Sequence, residues 1–98
     1  MAAEDFVYHF VLARQGQPLA RGERLATLAV GPERAGKLGM RRLEQLVDAE
    51  RRRWAGIVRQ AGYVDGWAVN VVRERGYRRT IYPGVAFVAG AHLGGPTS

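Results

Sequence analysis

A run of apolar residues at helical spacing between positions 43 and 61 constrains this chain more than any other feature. Leu43, Leu46, Val47, Trp54, Ile57, Val58 and Ala61 fall within a stripe roughly 120° wide on a helical wheel, the width of a surface that faces a core. The secure helix runs from Met40 to Ala61, about 33 Å, and Gly62 is placed to end it. Gly31-Pro32-Glu33 opens the segment, because proline is tolerated in a first helical turn and an acid there suits the helix dipole. Gly36 and Gly39 each weaken their turn by ~1 kcal/mol relative to alanine. The turns before Met40 are therefore expected to be loose or separate.

A helix this long in a chain of 98 residues crosses the whole domain and needs a sheet to rest on. Residues 6 to 13, FVYHFVLA, are aromatic and β-branched and read as a strand. Phe6, Tyr8, Phe10 and Leu12 share one face; Val7, His9 and Val11 share the other. Both faces are largely apolar, which predicts a central strand. A weaker strand lies within residues 19 to 30, strongest at LATLAV. After Gly62, residues 67 to 72 form a strand, residues 74 to 77 a turn, and residues 80 to 89 a last strand, with Pro83-Gly84 marking a bulge or an edge.

The order ββαββ implies an α+β fold: an antiparallel or mixed sheet with one long amphipathic helix on one face. Residues 1–93 are expected to form one domain and residues 94–98 a flexible Gly/Pro-rich tail. Trp54, Tyr63 and Trp67 are expected to pack where the helix meets the third strand.

The chain lacks cysteine. This excludes disulfides, thiolate nucleophiles and zinc–thiolate sites, and it fits a reducing cytoplasm. Serine occurs only at position 98, so serine and cysteine nucleophiles are both excluded and the chain is not expected to be an enzyme. Two histidines, His9 and His92, make a poor metal site, since structural zinc needs four ligands; no metal or cofactor is expected. The first apolar run is too short to span a bilayer. It follows Glu4 and Asp5 rather than the basic start of a secretory signal.

The net charge is +6, and Lys37 is the only lysine. Arginine's planar fork matches phosphate oxygens. Between Arg34 and Gly62 eight basic residues face three acidic ones, so the excess sits mainly on the helix. Arg41, Arg52 and Arg59 lie opposite the apolar stripe. Arg73, Arg75, Arg78 and Arg79 surround the second hairpin turn with Tyr77 among them, where a ring could stack on a base. These residues are the candidate nucleic-acid contacts.

Residues 31 to 37, GPERAGK, match the spacing of a phosphate-binding loop. Leu38 stands where a hydroxyl should hold magnesium, and the chain is too short for the usual parallel nucleotide-binding sheet. Only a milder anion site at Arg34 and Lys37 follows. Glu50 projects into the apolar stripe between Leu46, Val47 and Trp54. It is a candidate buried acid, needing either a structural partner or a raised pKa in a pocket.

The leading expectation is a small non-enzymatic module that contacts nucleic-acid phosphates. The rival is a homodimeric or higher-order structural subunit, or an inhibitor that docks on an acidic protein surface. The third reading is a small-molecule site around Glu50, Tyr8 or Tyr82.

Overall fold

In a computed structural model the described residues are 5–75, 78–81 and 86–87. The order is β1 (Phe6–Arg14), a short 3-10 turn (Leu19–Arg21), β2 (Glu23–Val30), α1 (Pro32–Gln60), β3 (Trp67–Arg75), β4 (Arg78–Ile81) and β5 (Ala86–Phe87). The sheet runs β2-β1-β3-β4, and every pairing is antiparallel. β5 pairs with Ala68 and Val69 of β3 while β1 occupies the other edge of those residues, so β5 continues the line of β4.

The two-sided apolar pattern of β1 is realised as the expected central position. Tyr8, Phe10 and Leu12 meet Val69 and Val71 of β3 and Val30 of β2 beneath the helix residues Leu43, Val47, Ala55 and Val58. Trp54, Tyr63 and Trp67 pack against this core, with Tyr63 and Trp67 edge to face at 5.0 Å.

Three details depart from the sequence expectation. Glu74 and Arg75, expected in the second hairpin turn, remain in β3 and pair with Arg79 and Arg78. The last strand is divided between β4 and β5; Pro83-Gly84, Tyr82, His92 and the tail lie outside the described residues. The helix is also rotated. Its buried line is Leu43, Val47, Arg51, Ala55 and Val58, centred roughly 60° around the helix from the line of its bulkiest apolar residues. Fully buried Ala55 has no side chain beyond Cβ, so the helix lies close to the sheet there. Leu46 and Trp54 fall to the flank, and Ile57 is 41% exposed.

The helix breaks where the glycines predicted. Gly39 has φ 78° and ψ 158°, which separates a first segment, residues 32–38, from the main rod, residues 40–60. That backbone region is essentially restricted to glycine. A methyl group on Gly39 would meet no atom within 4 Å, so space is not the obstacle. Gly39→Ala is therefore expected to cost about 1–3 kcal/mol through backbone strain alone. Urea denaturation measures this; an unchanged or raised midpoint would mean that the two segments merge into one straight helix.

Candidate functional site

The main rod stays continuous, as the phosphate-binding idea requires, but carboxylates occupy much of its charge. Asp48 accepts from Arg51 and from Arg52, the latter at 2.9 Å. Partial burial pushes the Asp48 carboxyl up, but Arg51 and Arg52 outweigh this and hold it below its ordinary value. Arg51 is the buried polar residue of the helix, 6% exposed, and the sequence pattern gave no sign of it. Its aliphatic stem covers core while its head returns to Asp48.

Glu50 is not the buried acid. Its side chain is 32% exposed, and both oxygens accept from Arg53, at 3.0 and 2.9 Å. That guanidinium holds the Glu50 carboxyl below the usual glutamate value, the opposite of a raised-pKa acid. The helix rotation explains the difference, since Glu50 leaves the sheet-facing line and reaches the flank. Arg53 also lies over the Trp54 ring, 5.3 Å from its centroid.

Arg34, Arg41 and Arg42 are exposed and make no ion pair among the described residues. Arg59 is exposed at the far end of the rod. Lys37 instead lies 3.6 Å from Glu33. The chain is helical from Pro32, and the Ala35 amide already donates to Gly31. This segment is thus a helix start with an internal ion pair, and it lacks the open loop that cradles a phosphate.

Strand alternation sorts the hairpin arginines. Arg73 and Arg75 lie on the helix side of β3, in line with Val69 and Val71. Arg79 pairs with Glu74 on the opposite side. Burial pushes the Tyr8 phenol up, partly offset by Arg73, its cross-strand neighbour. Arg75 stacks on Phe6 at 4.6 Å. A cleft of about 250 Å³ opens there, lined by Phe6, Met40, Arg73, Arg75 and Thr80. Met40 follows the Gly39 break and precedes Arg41 and Arg42. Tyr77 lies outside the described residues, and Arg78 is placed by its backbone opposite Arg75.

The sheet's other face carries a polar cluster that sequence reasoning did not assemble. His9 lies opposite Thr27 of β2 and Val72 of β3. Its Nδ1 is 3.0 Å from Thr27 Oγ1, and its Nε2 is 2.6 Å from Glu74 Oε1. Arg24 Nη1 approaches Nδ1 at 3.5 Å, and Arg79 lies 3.7 Å from Glu74. Two facts hid the cluster. The β1–β2 register shifts after Phe10, pairing Val11 with Arg24 and leaving Leu25 as an extra residue. This bulge brings Arg24 onto the same face as Thr27. The strand order that sets Glu74 beside His9 is likewise not written in local sequence. Among the described residues, no group of three or more His, Cys, Asp or Glu side chains could hold a metal, and no helix is long and apolar enough to cross a membrane.

No family model, no curated protein and no solved structure matches this chain.

Proposed function

We propose that the protein is a small binding module for nucleic-acid phosphates, and that the cleft at the helix break is its contact surface. The observation that carries this reading is the arginine distribution there. Arg73 and Arg75 line a cleft whose rim residue, Met40, leads directly into exposed Arg41 and Arg42. Guanidinium groups track a sugar–phosphate backbone. The rod's central arginines, held by Asp48 and Glu50, contribute less. Arg52 therefore ranks below Arg41, Arg73 and Arg75 in this reading.

Fluorescence anisotropy with labelled single-stranded RNA, single-stranded DNA and duplex DNA across a salt series tests it. Affinity is expected to fall steeply with salt. Arg42→Ala and Arg75→Ala are each expected to weaken binding across sequences and to make the log–log salt slope shallower by about 1. Arg53→Ala is expected to leave the slope unchanged, because Glu50 already holds that guanidinium. Absence of binding at low salt ends the proposal.

A second reading, a homo-oligomeric subunit, draws on the exposure of Ile57 at 41% and of Val64 at 45%. Sedimentation distinguishes the two: a stable oligomer that ignores nucleic acid favours the subunit.

A further inference from the structure

We propose that Thr27, His9 and Glu74 form a hydroxyl-activating relay, and that Thr27 accepts acyl groups from small aliphatic esters. This site lies on the face of the sheet away from the helix and does not depend on the nucleic-acid reading.

The partners of His9 determine its tautomer. Carboxylate oxygens only accept, so Glu74 at 2.6 Å requires a proton on Nε2. In the neutral imidazole a proton on Nε2 leaves one lone pair on Nδ1, and Arg24 Nη1 stands only at 3.5 Å from it. With Nδ1 unprotonated, the Thr27 hydroxyl at 3.0 Å donates to it. In that neutral state the three groups read hydroxyl to imidazole to carboxylate. A nucleophile bonded to a base that a third group orients is the signature of an activated hydroxyl.

The surroundings suit a small ester. Thr27 is exposed, whereas the His9 side chain is only 12% exposed, so the hydroxyl is open to reagent and the base is partly shielded. A groove of about 280 Å³ lies on the same sheet, lined by Val11, Leu19, Ala20, Val72, Arg79 and Thr80. Val72 is the direct cross-strand neighbour of His9, and Val11 follows it by two residues, so the groove borders the relay without having Thr27 or His9 in its lining. Arg24 supplies a positive charge next to the reacting atoms, where an oxyanion would develop.

The steps balance. Thr27 Oγ1 attacks the ester carbonyl carbon as its proton passes to His9 Nδ1. The tetrahedral oxyanion faces Arg24, and Glu74 stabilises the imidazolium. The bond to the leaving oxygen breaks, and that oxygen takes the proton from Nδ1, which leaves acyl-Thr27 and an alcohol. Water then gives a proton to Nδ1 and attacks the acyl carbon; the acyl carbon–Oγ1 bond breaks as Nδ1 returns that proton to Oγ1, which releases the carboxylic acid and restores Thr27. Thr27 and His9 are the catalytic residues, and Glu74 is a positioning residue.

The test is incubation of the full chain with p-nitrophenyl butyrate, reading nitrophenolate release and mapping adducts by peptide mass spectrometry. The expected result is a butyryl adduct on the peptide carrying Thr27. Thr27→Val abolishes the adduct and Thr27→Ser retains it. Glu74→Gln slows acylation at saturating ester by about 100-fold while KM and the circular-dichroism melting curve stay unchanged. Because Thr27 is exposed on an edge strand, both of its variants should fold. Nitrophenolate release that is equal in Thr27→Val, or an adduct found only on Lys37, His9 or the N-terminus, overturns the proposal, as does the absence of any adduct.

Discussion

Leu43→Ala is expected to destabilise the fold by about 2–5 kcal/mol, and Ile57→Ala by less than about 1 kcal/mol, in parallel urea titrations. Both residues belong to the same apolar stripe in the sequence, so a wheel drawn from sequence ranks them alike. The structure separates them. Leu43 is fully buried against the strands, whereas Ile57 keeps 41% of its surface in water. Truncating Leu43 removes methyl groups from a packed core and leaves a cavity that the rigid sheet cannot fill. Truncating Ile57 removes groups that are already partly hydrated. Equal losses at the two positions would mean that the helix sits on the sheet about its sequence stripe, and the flank carrying Leu46, Glu50 and Ile57 would then turn inward. A large effect at Ile57 that grows with protein concentration would instead point to an oligomer interface on that flank.

The same pair shows how much of this molecule its sequence encodes locally. Periodicity found the helix, its end near Gly62 and the central strand, and the glycines marked the turns before Met40 as loose or separate. These follow from side-chain spacing and glycine backbone freedom within a few residues. Helix rotation depends on Ala55 and Arg51 docking against strands far away in sequence, and no local pattern reports that contact. The candidate sites divide in the same way. The hairpin arginines were visible as a cluster, but strand alternation sends Arg73 and Arg75 to one side and Arg79 to the other. Glu50 was conspicuous only because the stripe was centred on it. The His9 cluster needs residues from three strands, a bulge at Leu25 and the β2-β1-β3 order together. None of these is legible without tertiary structure.

Asp48→Ala is expected to destabilise the protein by about 2–4 kcal/mol, while Arg51→Met stays within about 1 kcal/mol of the parent or exceeds it in stability. The asymmetry follows from burial. The Arg51 side chain is 8% exposed and Asp48 is 36% exposed. Removing the acid takes one partner away from a cation in a dry position, and the loss is the share of the pairing that Asp48 supplies. Removing the arginine leaves a carboxylate that water can reach and that Arg52 still contacts at 2.9 Å. Methionine also fills the space of the arginine stem with an adaptable apolar chain. The pH dependence has a definite sign. Asp48 is held below its ordinary value in the folded state, so its contribution is fully present above the unfolded aspartate pKa and fades as pH falls through the folded one. Arg51→Met is therefore expected to flatten the acid limb of the stability curve below the ordinary aspartate range. Urea midpoints measured from neutral pH down to strongly acid solution would show this. If Asp48→Ala proves as mild as Arg51→Met, the other contacts of the Arg51 guanidinium already hold it in place.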